Sequence, residues 1–226
     1  MHTNKNIART MGILYIIGTV AGILSRVLTG PLLSAGDILR DAAANEGRVT
    51  LAALLVMTMG IALTLIPVVA YPVLKKYDEI LALGYAVFRG ALEGATYMGI
   101  TVSWLLLLPL SRIYLAGGVN AAGAQTWAKT LLEAPELGAV LMIVFGLGGL
   151  MFYALLYRAR LVPRWLSVWG LVAILMNIAA GLLAMFGVFS PVSGISNALQ
   201  VPIFFQEMAL AVWFIVKGFD PKAVAE

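Results

Sequence analysis

The chain has 226 residues, no cysteine, and one histidine, His2. The first absence excludes disulfides, thiol chemistry and cysteine-ligated metals. The second excludes a histidine-ligated haem inside a membrane and argues against a zinc site. Charge is also scarce, at 12% of residues, where soluble domains carry roughly a quarter. No aspartate falls within any long apolar stretch and no lysine falls in the middle of one. An aspartyl intramembrane protease and a retinal Schiff base are therefore excluded. The Glu-Glu-x-x-x-Arg pattern of glutamate-type membrane proteases is missing; the order here is Arg89-x-x-x-Glu93.

What is present is apolar. Hydrophobic residues make up 62% of the chain and the mean hydropathy is +0.96. A helix needs about 20 apolar residues to cross the hydrocarbon core. The sequence predicts six such spans, at residues 7–28, 49–74, 80–110, 137–157, 163–188 and 198–216. These fill most of the length, so one all-α, polytopic transmembrane domain over residues 1–226 is expected, in contact with lipid. Span one is expected to end before Gly30-Pro31. It is longer than the usual ~7–15-residue core of a signal peptide and is read as a retained helix. Pro67 and Pro72 are expected to kink or end span two, and Pro163 to occupy the first turn of span five. Residues 34–48 and 120–132 are read as ordered surface loops, with short helices as the alternative. Gly18/Gly22 and Gly90/Gly94 are read as helix-packing positions, and residues 217–226 as a short polar tail.

The formal charge of +4 and the pI near 9.4 do not imply nucleic acid, because the basic residues gather at the ends of spans. Nine Lys and Arg lie on the side of the termini and five on the other. By the positive-inside rule both termini are expected to be cytoplasmic, in a bacterial inner membrane.

Against this background, Arg89 and Glu93 on span three and Glu207 on span six are conspicuous. A charge at the bilayer centre costs roughly 2.5–3.5 kcal/mol even on insertion scales, so it is paired, functional, or both. Counted at about 1.5 Å per residue, Glu207 is roughly 14 Å from either end of its span. Arg89, Glu93 and Tyr97 are spaced four apart and share a helix face. Gln206 and Asn177 are candidate neighbours, and Tyr15 and Tyr153 can join from spans one and four. If Arg89, Glu93 and Glu207 meet, two acids share one base, and a site of low dielectric then favours one shared proton. No catalytic, metal or cofactor-binding residue is assigned. The alternative reading is a structural ion pair that fixes helix register.

Several segments together resemble a bacterial family of six-span membrane proteins, domain of unknown function 4386. They are Gly12-Ile-Leu-Tyr-Ile-Ile-Gly-Thr-Val-Ala-Gly22, Ala44-Asn-Glu-Gly-Arg48, Phe88-Arg-Gly-Ala-Leu-Glu93, Leu155-Leu-Tyr-Arg158 through Pro163, and Gln206-Glu-Met-Ala-Leu-Ala-Val-Trp213 through Lys217-Gly218. The resemblance implies a six-span membrane fold and maps the family's charged pattern onto Arg89, Glu93 and Glu207. It implies no activity.

Three functions are compatible with these residues. The first is binding or transport of a small molecule, ion or proton through the Arg/Glu cluster. The second is an accessory role, docking another membrane protein through a small-residue face such as Gly18/Gly22. The third is an intramembrane enzyme with Glu93 or Glu207 as general acid or base, weakened by the lack of a nucleophile set.

Overall fold

A computed structural model describes residues 2–223, with side chains from Asn4 onward. The His2 imidazole and the last three residues of the predicted tail lie outside the described part. Six helices are long and apolar enough to cross a membrane, and no strand occurs among the described residues. Span one is α1 (His2–Leu33); α2 (Ile38–Ala44) follows, and span two is α3 (Glu46–Leu74). Span three combines α4 (Glu79–Tyr85), a π-helical segment (Ala86–Leu92), α5 (Glu93–Leu105) and α6 (Leu107–Leu115). After α7 (Ala121–Glu133), spans four, five and six are α8 (Pro135–Ala159), α9 (Arg164–Met185) and α10 (Gly194–Val216).

Each span packs against the next in sequence, and α10 closes the circle against α1. The result is a ring of six helices with spans three and six on opposite sides. Outward residues of α1 such as Ile13, Ile17, Val20 and Leu24 are 43–49% exposed, a stripe suited to lipid and not to water. Tight approach makes the ring possible. A Cβ on Gly12 would lie 2.5 Å from the Ala211 carbonyl oxygen, so α1 and α10 meet nearly backbone to backbone. Gly18 and Gly22 admit Leu63 and Met59 of α3 in the same way, and Gly94 admits Thr64. The Gly18/Gly22 face is thus covered by span two.

Both chain ends lie on one face of the ring. Arg9 Nε donates to the Ile215 carbonyl, Asp220 N to Leu161, and the Tyr77 hydroxyl to Ala223. The opposite face carries α2, α6 and α7 as a cap. Residues 34–48 and 120–132 were expected as loops, but the structure makes most of both helical. The reason is local: Asp37 and Asn120 are N-caps, accepting from Arg40 N and Gly123 N, which satisfies donors that a helix start leaves orphaned. Tertiary bonds then hold α2 and α7 together. Gln125 donates to Asp37 at 2.6 Å and accepts from Ile38 N, while Tyr114 donates to Asp37 at 3.1 Å.

Three span ends differ from expectation. Span one runs through Pro31 to Leu33: Pro31 gives up its own bond to the Val27 carbonyl, and Ser34 ends the helix by bonding the Gly30 carbonyl through both N and Oγ. Span two, by contrast, ends at Leu74 as expected, with Pro67 and Pro72 inside the helix. Span five begins after Pro163, which is its N-cap, and stops at Met185. There Gly187 takes φ +74° and Val188 N bonds Leu183 O, a Schellman stop.

Two outcomes follow. Gly12→Ala is expected to lower stability by about 1–3 kcal/mol through overpacking, whereas Gly30→Ala, whose Cβ meets nothing within 4 Å, is neutral or stabilising; thermal melts in detergent compare them. In the cap, the Arg40 N–H, with help from Gln125 and Tyr114, holds the Asp37 carboxyl below its usual range. A depressed folded pKa gives stabilisation that is present above the unfolded value and lost as pH falls below about 4. Amide exchange at Arg40 is expected to lose protection over that window in the wild type. In Asp37→Asn protection starts lower and stays flat.

Candidate functional site

Arg89 sits inside the ring and is 2% exposed. Its Nη1 is 3.6 Å from Glu93 Oε2, and its Nη2 is 3.0 Å from Glu207 Oε1. The second pair joins span three to span six across the ring. The Phe145 ring of span four lies against the guanidinium at 4.4 Å, and the Tyr15 ring of span one lies at 5.5 Å. Four of the six spans therefore converge on one cation. Arginine suits this place better than lysine: its planar fork can face two acids while its flat surfaces stack on rings.

The backbone beneath Arg89 is unusual. A stripe of residues four apart on an α-helix drifts about 40° per step. The π segment Ala86–Leu92 turns less per residue, which takes back part of that drift. Tyr85, Arg89, Glu93 and Tyr97 are all buried as a result. Gly148 of α8 makes room for the segment: a Cβ there would come within 2.9 Å of Arg89 N.

The pairing is incomplete. Arg89 Nε and Glu93 Oε2 are buried without a hydrogen-bond partner among the described residues, while Arg89 Nη2 and Glu207 Oε1 face each other at 3.0 Å. These atoms lie at the inner end of a cavity of about 600 Å³ that runs to the cap face. Its wall includes Trp104, Met142, Ile203 and Phe204, and its mouth lies between the α7–α8 junction and Pro191, Asn197 and Gln200. At that junction Ala134 holds a left-handed turn, φ 42°, and Trp104 Nε1 and Ser103 Oγ bond the last carbonyls of α7. On the other side of Arg89 the interior is filled. Tyr85 stacks on Phe152 at 4.5 Å, and Tyr153 donates to Gln206 at 2.6 Å.

The sequence candidates thus divide. Arg89, Glu93, Glu207 and Tyr97 come together on the cavity wall, with Tyr97 coupled to Glu93 through its hydroxyl. Asn177 also lines the cavity, but its amide donates to the Met142 carbonyl and ties α9 to α8. Gln206 lies in the filled layer, bridging Tyr153 and the Leu166 carbonyl, and does not join the cluster. Arg26 was counted as a loop-side charge. It lies within α1, as the predicted span at residues 7–28 already placed it, and the structure turns it to the cavity wall. Nothing in the sequence marked Phe145 or Gly148, since both act through contact between spans. Among the described residues, no group of three His, Cys, Asp or Glu is placed to hold a metal.

Removing Arg89 leaves two buried acids without a base, so Arg89→Met is expected to cost about 3–5 kcal/mol. In a double-mutant cycle, Arg89→Met with Glu207→Met is expected to lose less than the sum of the single losses. Additive losses, read by denaturation in mild detergent, would mean the 3.0 Å pair contributes nothing to the fold.

The family model described as Domain of unknown function (DUF4386) matches residues 10–218. No curated protein and no solved structure matches the chain.

Proposed function

The chain belongs to this family, Domain of unknown function (DUF4386), and we propose that it binds a small molecule, ion or proton in the intramembrane cavity and exchanges it with one side of the membrane. The observation that carries this reading is a cavity that reaches buried, incompletely paired charges from a single face. A purely structural ion pair is best served by a dry, fully hydrogen-bonded setting. Here Arg89 Nε and Glu93 Oε2 lack a hydrogen bond among the described residues and the ion pairs border open space, where incoming polar groups gain the most. The filled layer of Tyr85, Phe152, Tyr153 and Gln206 blocks passage toward the chain ends, so transport requires a second conformation in which that layer opens. Since π segments favour functional positions, Ala86–Leu92 is the natural pivot. By the excess of Lys and Arg near the chain ends, we read that face as cytoplasmic, in a bacterial inner membrane, and the cavity as opening outward.

The accessory reading rests on one observation, the Arg89–Glu207 tie that closes the ring. Its most obvious docking face, Gly18/Gly22, is taken by span two. An enzyme would depend on Glu93 or Glu207 as acid or base with no nucleophile beside them.

The lack of native cysteine makes a direct test simple. Gln200→Cys and Ile203→Cys are expected to react with a charged, membrane-impermeant thiol reagent added from the cap side and not from the other. Val172→Cys, on the lipid-facing surface with Val172 55% exposed, is expected to stay unreactive. If Ile203→Cys is unreactive from both sides, the bundle is dry and the accessory reading replaces this one.

A further inference from the structure

The charges on the cavity wall specify more than a site. At the floor, one guanidinium faces two carboxylates, so the fully ionised cluster carries one uncompensated negative charge. Glu93 Oε2 and Glu207 Oε1 are turned to the guanidinium at 3.6 and 3.0 Å, and the Glu207 side chain keeps 16% of its surface exposed beside the cavity. Glu93 is 1% exposed. The body of the cavity is apolar and aromatic, through Trp104, Met142, Phe145, Ile203 and Phe204. With a volume of about 600 Å³ it far exceeds a bare metal ion, and no group of three His, Cys, Asp or Glu among the described residues is placed to hold one.

Resting on the cavity reading above, we propose that the ligand is a lipophilic organic monocation, an amine or quaternary ammonium on an apolar body, taken up in exchange for a proton. The cationic head lies against Glu93 and Glu207, and the aromatic wall receives the body and the remainder of the head. Arg26 and Glu133, both on the cavity wall, offset each other, so the surplus charge that selects a monocation lies at the floor alone. The exchange balances: without the organic cation, the surplus negative charge is neutralised by one proton shared between Glu93 and Glu207. The cation replaces that proton, which leaves to the solvent of the cavity. The charged and titratable groups around the cavity floor and wall are Arg89, Tyr85 and Tyr97 on span three, Tyr15 and Arg26 on span one, Tyr153 on span four, and Glu133 at the end of α7. Span five contributes only the neutral Asn177 to the wall, and span two only Leu63. The proton is assigned to the Glu93 and Glu207 carboxyls because both meet Arg89, whereas Glu133 pairs with Lys129.

Three probes with a common benzyl body separate the possibilities: benzyltrimethylammonium, benzyl alcohol and phenylmethanesulfonate, each titrated calorimetrically into detergent-solubilised protein. The cation is expected to bind one per chain and at least about tenfold tighter than the other two, a difference of about 1.4 kcal/mol. Its affinity is expected to fall as pH is lowered. In a weakly buffered solution one proton should be released per cation bound. Glu207→Gln is expected to weaken the cation by about tenfold or more and to abolish proton release. If Glu207→Gln does not fold, Ile203→Trp decides instead: filling the cavity is expected to abolish binding, while Val172→Trp on the lipid face leaves it unchanged. Equal binding of all three probes, or preference for the sulfonate, overturns the cation class but leaves the cavity reading standing. No binding by any probe, with Ile203→Cys still labelled from the cap side, also overturns this proposal alone. No binding with Ile203→Cys unlabelled overturns both.

Discussion

A single guanidinium shared between two acids organises this molecule. Taking Arg89 out of water is costly, and its attraction to Glu93 and Glu207 repays the cost only when span six lies opposite span three. That requirement explains why the ring closes as it does. Phe145 and Tyr15 bring spans four and one against the same cation. The closed order of spans and the cross-ring ion pair are two aspects of one constraint.

The same cluster also creates an asymmetry. Toward the chain ends the interior is filled by stacked rings and by Gln206, which satisfies itself between Tyr153 and a backbone carbonyl. Toward the cap, aromatic and aliphatic side chains line open space. Arg89 lies 3.0 Å from Glu207 but 3.6 Å from Glu93, and the second contact is too long for a good hydrogen bond. All three side chains border the open side. A binding site and a structural tie therefore share the same residues, which explains why sequence reasoning found both roles compatible with them.

The π segment and Gly148 show how the backbone serves that cluster. A regular α-helix would carry the four-residue stripe from Tyr85 to Tyr97 progressively around the helix. The widened turn limits this rotation, and a residue with no side chain on α8 leaves room for it. Neither feature increases apolar burial. Both aim polar side chains into the ring, as expected of a region shaped by its chemistry and not by packing alone.

Six apolar stretches, an all-helical membrane fold and the outlying charges were legible in the sequence, because lipid demands long apolar helices and tolerates few charges. The family that the sequence segments resemble is the one whose model matches residues 10–218. The pairing of Arg89 with Glu207 was legible only as a possibility, since residues 118 positions apart meet through ring closure and no local signal encodes it. The helices α2 and α7 were legible only as the alternative to loops, because their caps at Asp37 and Asn120 are local signals but the bonds from Gln125 and Tyr114 that hold them together act across chain distance. Arg26, Phe145 and Gly148 gained meaning only from what stands opposite them. The sequence by itself determined which segments enter the membrane, because that depends on the solvation of each segment alone. Only the tertiary structure decided which charges meet, which face of them is dry and where space remains, because those depend on the packing of one helix against another.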